Sequence, residues 1–261
     1  MLGLGHSVSK SKRLSSIEPN FSLFFDGTND EIDFTSLSLQ AELANQGFKV
    51  SGSVSIWLKM NASISSNGQL FDFTIDTNNR INTQYKHTSN GFNSTFKGGG
   101  STKIATHNPS SSIEGDDTWH HLAMTWDKGT ANELKIYFDG SLKATTALAS
   151  VELEGDFDDD AGAEGVEVIQ GTSFNGNADY KGYLDDFAVF SNVLSGSQVS
   201  NLYNSGVSNP KDVSNQGTLI AHWKFNENAG TTVTDAVEGY IGTFGSSGKE
   251  PAFSSDNAAG T

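Results

Sequence analysis

Acidic side chains supply most of the residues in this sequence that could do chemistry. Glu31-Ile32-Asp33-Phe34 sets two carboxylates at alternate positions, so a strand would carry both on one face. Cleavage of a glycosidic bond needs two carboxylates flanking it. Thr35 and Ser36 follow, however, so the run offers no further acid. Asp26, Asn29 and Asp30, and separately the vicinal Asp185 and Asp186, present the hard oxygens that calcium takes. Asp26-Gly27-Thr28-Asn29-Asp30 is equally ordinary turn chemistry. Glu154 to Asp160 adds more acids, in a run without strand alternation to aim them. His120 and His121 are adjacent and would point to opposite faces of a strand, which prevents them from sharing a metal. No Glu-flanked His pair has the helical spacing of a zinc protease. Tyr85, Phe92, Phe96, Tyr180 and Tyr183 lie in or beside expected loops, where a ring could stack on the apolar face of a sugar; most aromatics of such a chain belong to its core.

Composition narrows the classes. The chain has 261 residues, 16 Lys+Arg against 31 Asp+Glu, and a net charge of −15. The acid excess argues against nucleic-acid backbones and anionic membranes as partners. There is no Cys, which excludes disulfide scaffolds, thiol catalysis and thiolate zinc sites. No apolar run approaches a membrane span, so no membrane insertion is expected. The opening Met-Leu-Gly-Leu-Gly-His-Ser-Val-Ser-Lys-Ser-Lys-Arg puts its basic residues after the weak apolar ones, the reverse of a secretory signal. Residues 1–18 read as an arm, either a loose tail or a segment that docks on a partner.

The elements that must position these residues are strands. Val54, Ile56, Leu58 and Met60 alternate with Ser55, Trp57 and Lys59, and the same period of two recurs at 70–75, 80–85, 119–126, 133–138, 141–146, 166–170, 182–190 and 219–225. A further strand is expected around Asn93 to Phe96. Asp139-Gly140 between two such runs is a hairpin signal. Only Ser195 to Asn204 reads as a helix, capped by Ser195, with Val199, Leu202 and Tyr203 forming one apolar stripe and Gly206 beyond its end. About a dozen short strands and one short helix predict an all-β, two-sheet antiparallel sandwich.

Five motifs, in order, carry a resemblance. They are Leu23-Phe24-Phe25-Asp26-Gly27-Thr28-Asn29-Asp30, Val54-Ser55-Ile56-Trp57-Leu58-Lys59, Trp119-His120-His121-Leu122-Ala123-Met124-Thr125-Trp126, Leu134-Lys135-Ile136-Tyr137-Phe138-Asp139-Gly140, and Gly182-Tyr183-Leu184-Asp185-Asp186-Phe187-Ala188-Val189-Phe190 with Leu194-Ser195. Together they resemble the laminin-G-like branch of the concanavalin A-like lectin/glucanase superfamily. The resemblance implies a jelly roll over residues 19–206, followed by a connector, 207–217. It implies adjacent first and last strands that a structural calcium could bridge through Asp26, Asn29, Asp30, Asp185 and Asp186. It makes His120 and His121 packing residues. Retaining enzymes of the superfamily carry a run similar to Glu31-Ile32-Asp33-Phe34 with a second Glu after it, on a central strand. Here that acid is missing and the run falls in the opening strand region, so no enzyme is expected. Residues 218–261 resemble a segment that often opens such modules. Too short for a second sandwich, they either complete the first or pack on a neighbouring subunit; the first is the expectation, since a lone strand pair is rarely stable.

A lectin-like body without catalytic acids or an export signal leads to one functional expectation. It is a non-enzymatic structural or attachment protein of a bacteriophage particle (tail fibre, appendage or capsid-decorating protein), made in host cytoplasm and located in the virion. Its partners would be other virion proteins, met through the arm, further copies of itself, and host surface glycans bound by Tyr85, Phe92, Tyr180 and Tyr183. The alternative is an extracellular lectin or adhesin on a cell surface.

Overall fold

The computed structural model describes residues 20–158, 167–173, 176–204, 206 and 213–258. The arm (residues 1–18), the end of the acidic run at Asp159 and Asp160, and residues 207–212 of the connector lie outside them. In chain order the elements are β1 (Ser22–Asp26), β2 (Ile32–Asp33), α1 (Leu37–Asn45), β3 (Ser51–Lys59), β4 (Gly68–Asp76), β5 (Asn79–Lys86), β6 (Gly91–Gly98), β7 (Ser101–His107), β8 (His120–Asp127), β9 (Glu133–Phe138), β10 (Ser141–Ala147), β11 (Glu167–Gly171), β12 (Lys181–Phe190), α2 (Gly196–Tyr203), β13 (Leu219–Trp223), β14 (Thr232–Thr234), β15 (Ile241–Phe244) and β16 (Ala252–Ser254).

These strands form two antiparallel sheets. Sheet A runs β10-β9-β8-β3-β12-β1-β16, with β13 also on β12; sheet B runs β14-β15-β2-β11-β4-β5-β6-β7. The fold is therefore an all-β sandwich. Alternation along each strand sends one set of side chains between the sheets: Val54, Ile56 and Leu58 from β3, Leu122, Met124 and Trp126 from β8, Phe71 and Phe73 from β4, and Phe92 and Phe96 from β6 are all fully buried. Trp126 donates its indole N–H to the Phe48 carbonyl at 2.8 Å, so the core's largest ring has its one polar atom satisfied.

Two elements correct the sequence expectation. Among the described residues there are two α-helices. The unexpected one, α1, starts at Ser36, whose hydroxyl accepts from Leu39 N at 3.3 Å, and buries Leu39 and Leu43 one turn apart. Strand β7 was also missed; Gly99 and Gly100, both left-handed (φ 53° and 78°), make the tight turn that folds it back on β6.

The C-terminal segment joins both layers. β13 pairs β12, β16 pairs β1, and the β14–β15 hairpin extends sheet B through β2. Strand β12 is thus shared: residues 181–184 pair with β1 and residues 187–190 with β13. Its bulge falls between these halves, at Asp185 and Asp186, and Asp186 takes φ 47°.

Candidate functional site

The outward face of sheet B is polar and carries two adjoining concavities. Cross-strand register lines up Gln69, Gln84 and Asn93, then Asp72, Asn82 and Thr95, then Thr74, Arg80 and Lys97 across β4, β5 and β6. Neighbours such as Ile81 and Phe73 point into the core, so period two sets out most of this grid, and a register shift between Gln69 and Phe71 brings Gln69 onto the same face. Gln69, Asp72, Thr74 and Asn82 point away from the core yet are buried. Gln69 and Asn82 line a concavity of about 310 Å³, together with Asn67, Arg80, Gln84 and Asn177, while Asp72 and Thr74 lie beneath its lining residues. The Gln69 N–H donates to the Ala178 carbonyl at 3.0 Å, fixing the wall formed after β11. Asp72 anchors the floor: one oxygen accepts from the Thr74 hydroxyl at 3.0 Å and from Asn82 Nδ2 at 3.4 Å, and the other lies 3.9 Å from Arg80 Nη1.

Beside it, with Ser173 common to both, a second concavity of about 320 Å³ is lined by Glu31, Asp33, Glu167, Asn29 and Lys249. Lys249 Nζ lies 3.9 Å from Glu31. Glu31 and Asp33 therefore share this concavity with another acid, Glu167, supplied by a different strand. Their strand β2 is not the opening strand of sheet A; it sits inside sheet B between β15 and β11. Thr35 takes the place after the run and accepts the Val168 N–H at 3.1 Å.

The expected calcium set is not assembled. Asp26 pairs with Lys181 and Leu23 with Leu184, so Asp185 and Asp186 lie four and five residues further along β12, on the order of 13 Å away at ~3.3 Å per residue. Asp30 is buried and accepts the Asp26 N–H at 2.6 Å; burial pushes its carboxyl up to about 6. Asp26 caps its own turn through Thr28 N at 2.6 Å, and Asn29 is exposed at the acidic concavity. Asp185 accepts from Asp186 N and Ala258 N at 2.8 and 2.9 Å. Asp186 meets His222 Nε2 at 3.0 Å. Burial, then the neighbouring Asp186, holds Asp185 well above the carboxylate range; burial raises Asp186 to about 8 against the pull of Lys224. Both carboxyls are buried and already met by protein groups, Asp185 by two backbone N–H groups and Asp186 by His222, so neither is open to a cation. Among the described residues no three His, Asp or Glu side chains gather to hold a metal ion.

The aromatic set needs a similar correction. Tyr85, Phe92 and Tyr180 are fully buried, as is Phe96, and a ring with no free face cannot stack on a ligand. Tyr85 donates its hydroxyl to Asn90 and Glu114 at 2.7 and 3.0 Å, and the Tyr180 hydroxyl reaches the Lys59 and Tyr183 carbonyls, both at 3.3 Å. Only Tyr183 is half-buried, wedged between Phe24 and Trp119 with the Lys59 ammonium 5.4 Å from its centroid. Sequence reasoning sought rings and missed the amides. The missed signal was the alternation of Asn82, Gln84 and Arg80 with apolar residues in one strand.

The two histidines pack. His121 is fully buried, its Nε2 2.8 Å from Ser55 Oγ and its ring against Trp57; burial lowers it to about 4. His120 contacts Asp139 and Asp116 at 2.9 and 3.0 Å.

This arrangement, two curved antiparallel sheets with a polar trough on one outer face, is a jelly roll of the lectin type. The chain belongs to the concanavalin A-like lectin/glucanases superfamily: residues 26–200 match its Laminin_G_3 family. No curated protein matches the sequence. Among solved structures the fold is similar to that of a "putative carbohydrate binding protein" from Bacteroides ovatus ATCC 8483, with a TM-score of 0.58 at 15% identity over 91% of this chain. The chain spans 60% of that protein's length. It is also similar to a heptameric SAP-like pentraxin from Limulus polyphemus, with a TM-score of 0.54 at 16% identity over 86% of this chain and 95% of that one.

Proposed function

We propose that the protein is a non-enzymatic carbohydrate-binding module that receives a glycan in the trough of sheet B. The observation that carries this is the grid of planar amides and one guanidinium, set in register on a rigid sheet. Gln69 donates from Nε2 to the Phe71 and Thr83 carbonyls and so fixes the floor, while amides such as Gln84 and Asn93 can donate and accept, as sugar hydroxyls require, and a preformed sheet loses little freedom on binding. The carbohydrate-binding relative supports the reading at the level of fold. Glu31 and Asp33, in the neighbouring concavity, serve as polar contacts for a glycan that extends past the trough, and Thr35 stands where a further acid would complete the hydrolytic run.

The setting proposed is a bacteriophage particle, with the protein as a tail fibre, appendage or capsid-decorating component in several copies. That part rests on the sequence resemblance. Glycan-array binding tests the first part: Gln84→Ala and Thr95→Trp, both on the outer face, abolish a signal that wild type gives. A wild type that binds no glycan, with or without calcium, overturns it. Mass spectrometry of purified particles tests the second; a chain found on cell envelopes and never in virions is an adhesin instead.

A further inference from the structure

Arg80 stands in the trough with its donors unspent. It projects from β5 on the outer face of sheet B, in register between Thr74 of β4 and Lys97 of β6, and lines the concavity. A guanidinium carries five N–H donors in a planar fork and keeps its charge at physiological pH. Among the described residues Arg80 makes no hydrogen bond. Its ionic contact is Asp72, 3.9 Å from Nη1, too far for a hydrogen bond, and its buried Nε has no partner. We infer that the trough selects an acidic saccharide, whose carboxylate Arg80 receives while Asn82, Gln84 and Thr95 meet its hydroxyls. This rests on the glycan reading of the trough and names the class of sugar.

Three observations carry it. The first is the unspent fork itself. A partly buried guanidinium without acceptors gains most from a ligand that brings two coplanar oxygens, and a carboxylate is that ligand.

The second is that Asp72 does not fill this role. One of its oxygens accepts from the Thr74 hydroxyl at 3.0 Å and from Asn82 Nδ2 at 3.4 Å, and the other stands off from Arg80. The Asp72 side chain is 0% exposed and that of Arg80 25%, so Asp72 holds the guanidinium from below and leaves its open side to a ligand. One cation over one buried acid suits a single negative charge better than a phosphate dianion.

The third is the segregation of charge across the sheet. Lys97 is the cross-strand neighbour of Arg80 and donates to the Thr77 carbonyl at 2.6 Å, which ties its ammonium to the same end. Asp33 and Glu167 belong to β2 and β11. Glu167 pairs with Thr74, so its strand is two away from that of Arg80, ~10 Å at ~4.8 Å per strand. That exceeds the ~8 Å screening length at physiological salt. The same screening weakens the pull of the −15 net charge against an anion. The sugar is thereby oriented, its acid toward β5 and β6 and its neutral edge toward β11.

The test is an NMR titration of the full chain, read at the amides of Gln84 and Thr95. The probes are methyl β-glucoside, methyl β-glucuronide and the methyl ester of that glucuronide, then the matching galactose series. At least one uronate is expected to bind ten times more tightly than its neutral counterpart, and its ester to bind like the neutral sugar. Arg80→Gln is expected to bring the acid-to-neutral ratio to about one, and Arg80→Lys, which keeps the charge without the fork, to retain part of it. The ester comparison needs no variant and stands even where Arg80→Gln fails to fold. Neutral sugars that move these amides as strongly as the uronates, or a preference that survives in folded Arg80→Gln, overturn this inference and leave the trough standing. Amides that no sugar moves, neutral or acidic, overturn both.

Discussion

Asp186→Asn should make the protein more stable at pH 8. Asp186 is 3% exposed, sits at the β12 bulge with φ 47°, and shares a 3.0 Å contact with His222 Nε2. Asp235 and Lys224 approach from the C-terminal segment, and Asp185 adjoins it in the chain. Burial raises the Asp186 carboxyl to about 8, while burial and Lys224 lower His222 to about 4. At neutral pH the folded pair therefore holds one proton between the two groups across the 3.0 Å contact. The unfolded aspartate loses its proton near pH 4, so the folded state binds one more proton over the interval up to 8, and stability falls as pH rises there. Below pH 6.5 the buried His222 and His121 act in the opposite sense, because the unfolded histidines take up protons first. Between pH 6.5 and 8 that opposition has faded, and one proton over 1.5 pH units is worth about 2 kcal/mol. Asn keeps the shape, donates to the same nitrogen, tolerates the left-handed backbone and cannot ionise. Urea denaturation at both pH values should show wild type losing about 2 kcal/mol more than Asp186→Asn across the window. Equal pH slopes, or a variant weaker than wild type at pH 8, would refute the reasoning.

Other perturbations test other parts of the structure. Gly171→Ala puts a Cβ 2.4 Å from the Phe25 ring and 2.6 Å from the Asp30 carbonyl, at φ 91°; left-handed strain and overpacking together should cost about 2–5 kcal/mol in chemical denaturation. Trp223 is fully buried, with Phe34 and Phe187 centroids at 4.3 and 5.5 Å, so Trp223→Ala should lose about 3–5 kcal/mol by the same measurement. Ending the chain at residue 217 strips strands from both sheets, and the product should lack the near-ultraviolet circular dichroism of packed aromatics. For His120, burial opposes the charge, but hydrogen bonds to Asp139 and Asp116 outweigh it and raise the pKa. The stability it contributes is present below pH 6.5 and is lost as pH climbs through the raised value, so His120→Gln should destabilise at pH 6 more than at pH 8 in thermal melts.

The sequence by itself determined the strands, their faces and the class of sandwich. Those depend on alternation, and alternation is local: Val54 to Met60 sort into two faces whatever lies above them. The capped helix α2 and the Asp139-Gly140 turn were legible for the same reason. Helix α1 carried readable signals as well, Ser36 as a cap, Leu39 and Leu43 a turn apart and a run of Leu, Gln, Ala and Glu that favours helix. Only the tertiary structure decided which outward residues form a site. Tyr85 and Tyr180 look like loop aromatics in one dimension and prove to be core, because residues from other strands, Phe92 and Phe25 among them, pack against their rings. Asp26 and Asp185 were expected to converge, yet antiparallel register sets them about four residues apart along β12. Gln69, Arg80 and Gln84 become one trough only because strands distant in sequence pair in a fixed register, and that register is set by packing across the whole sandwich.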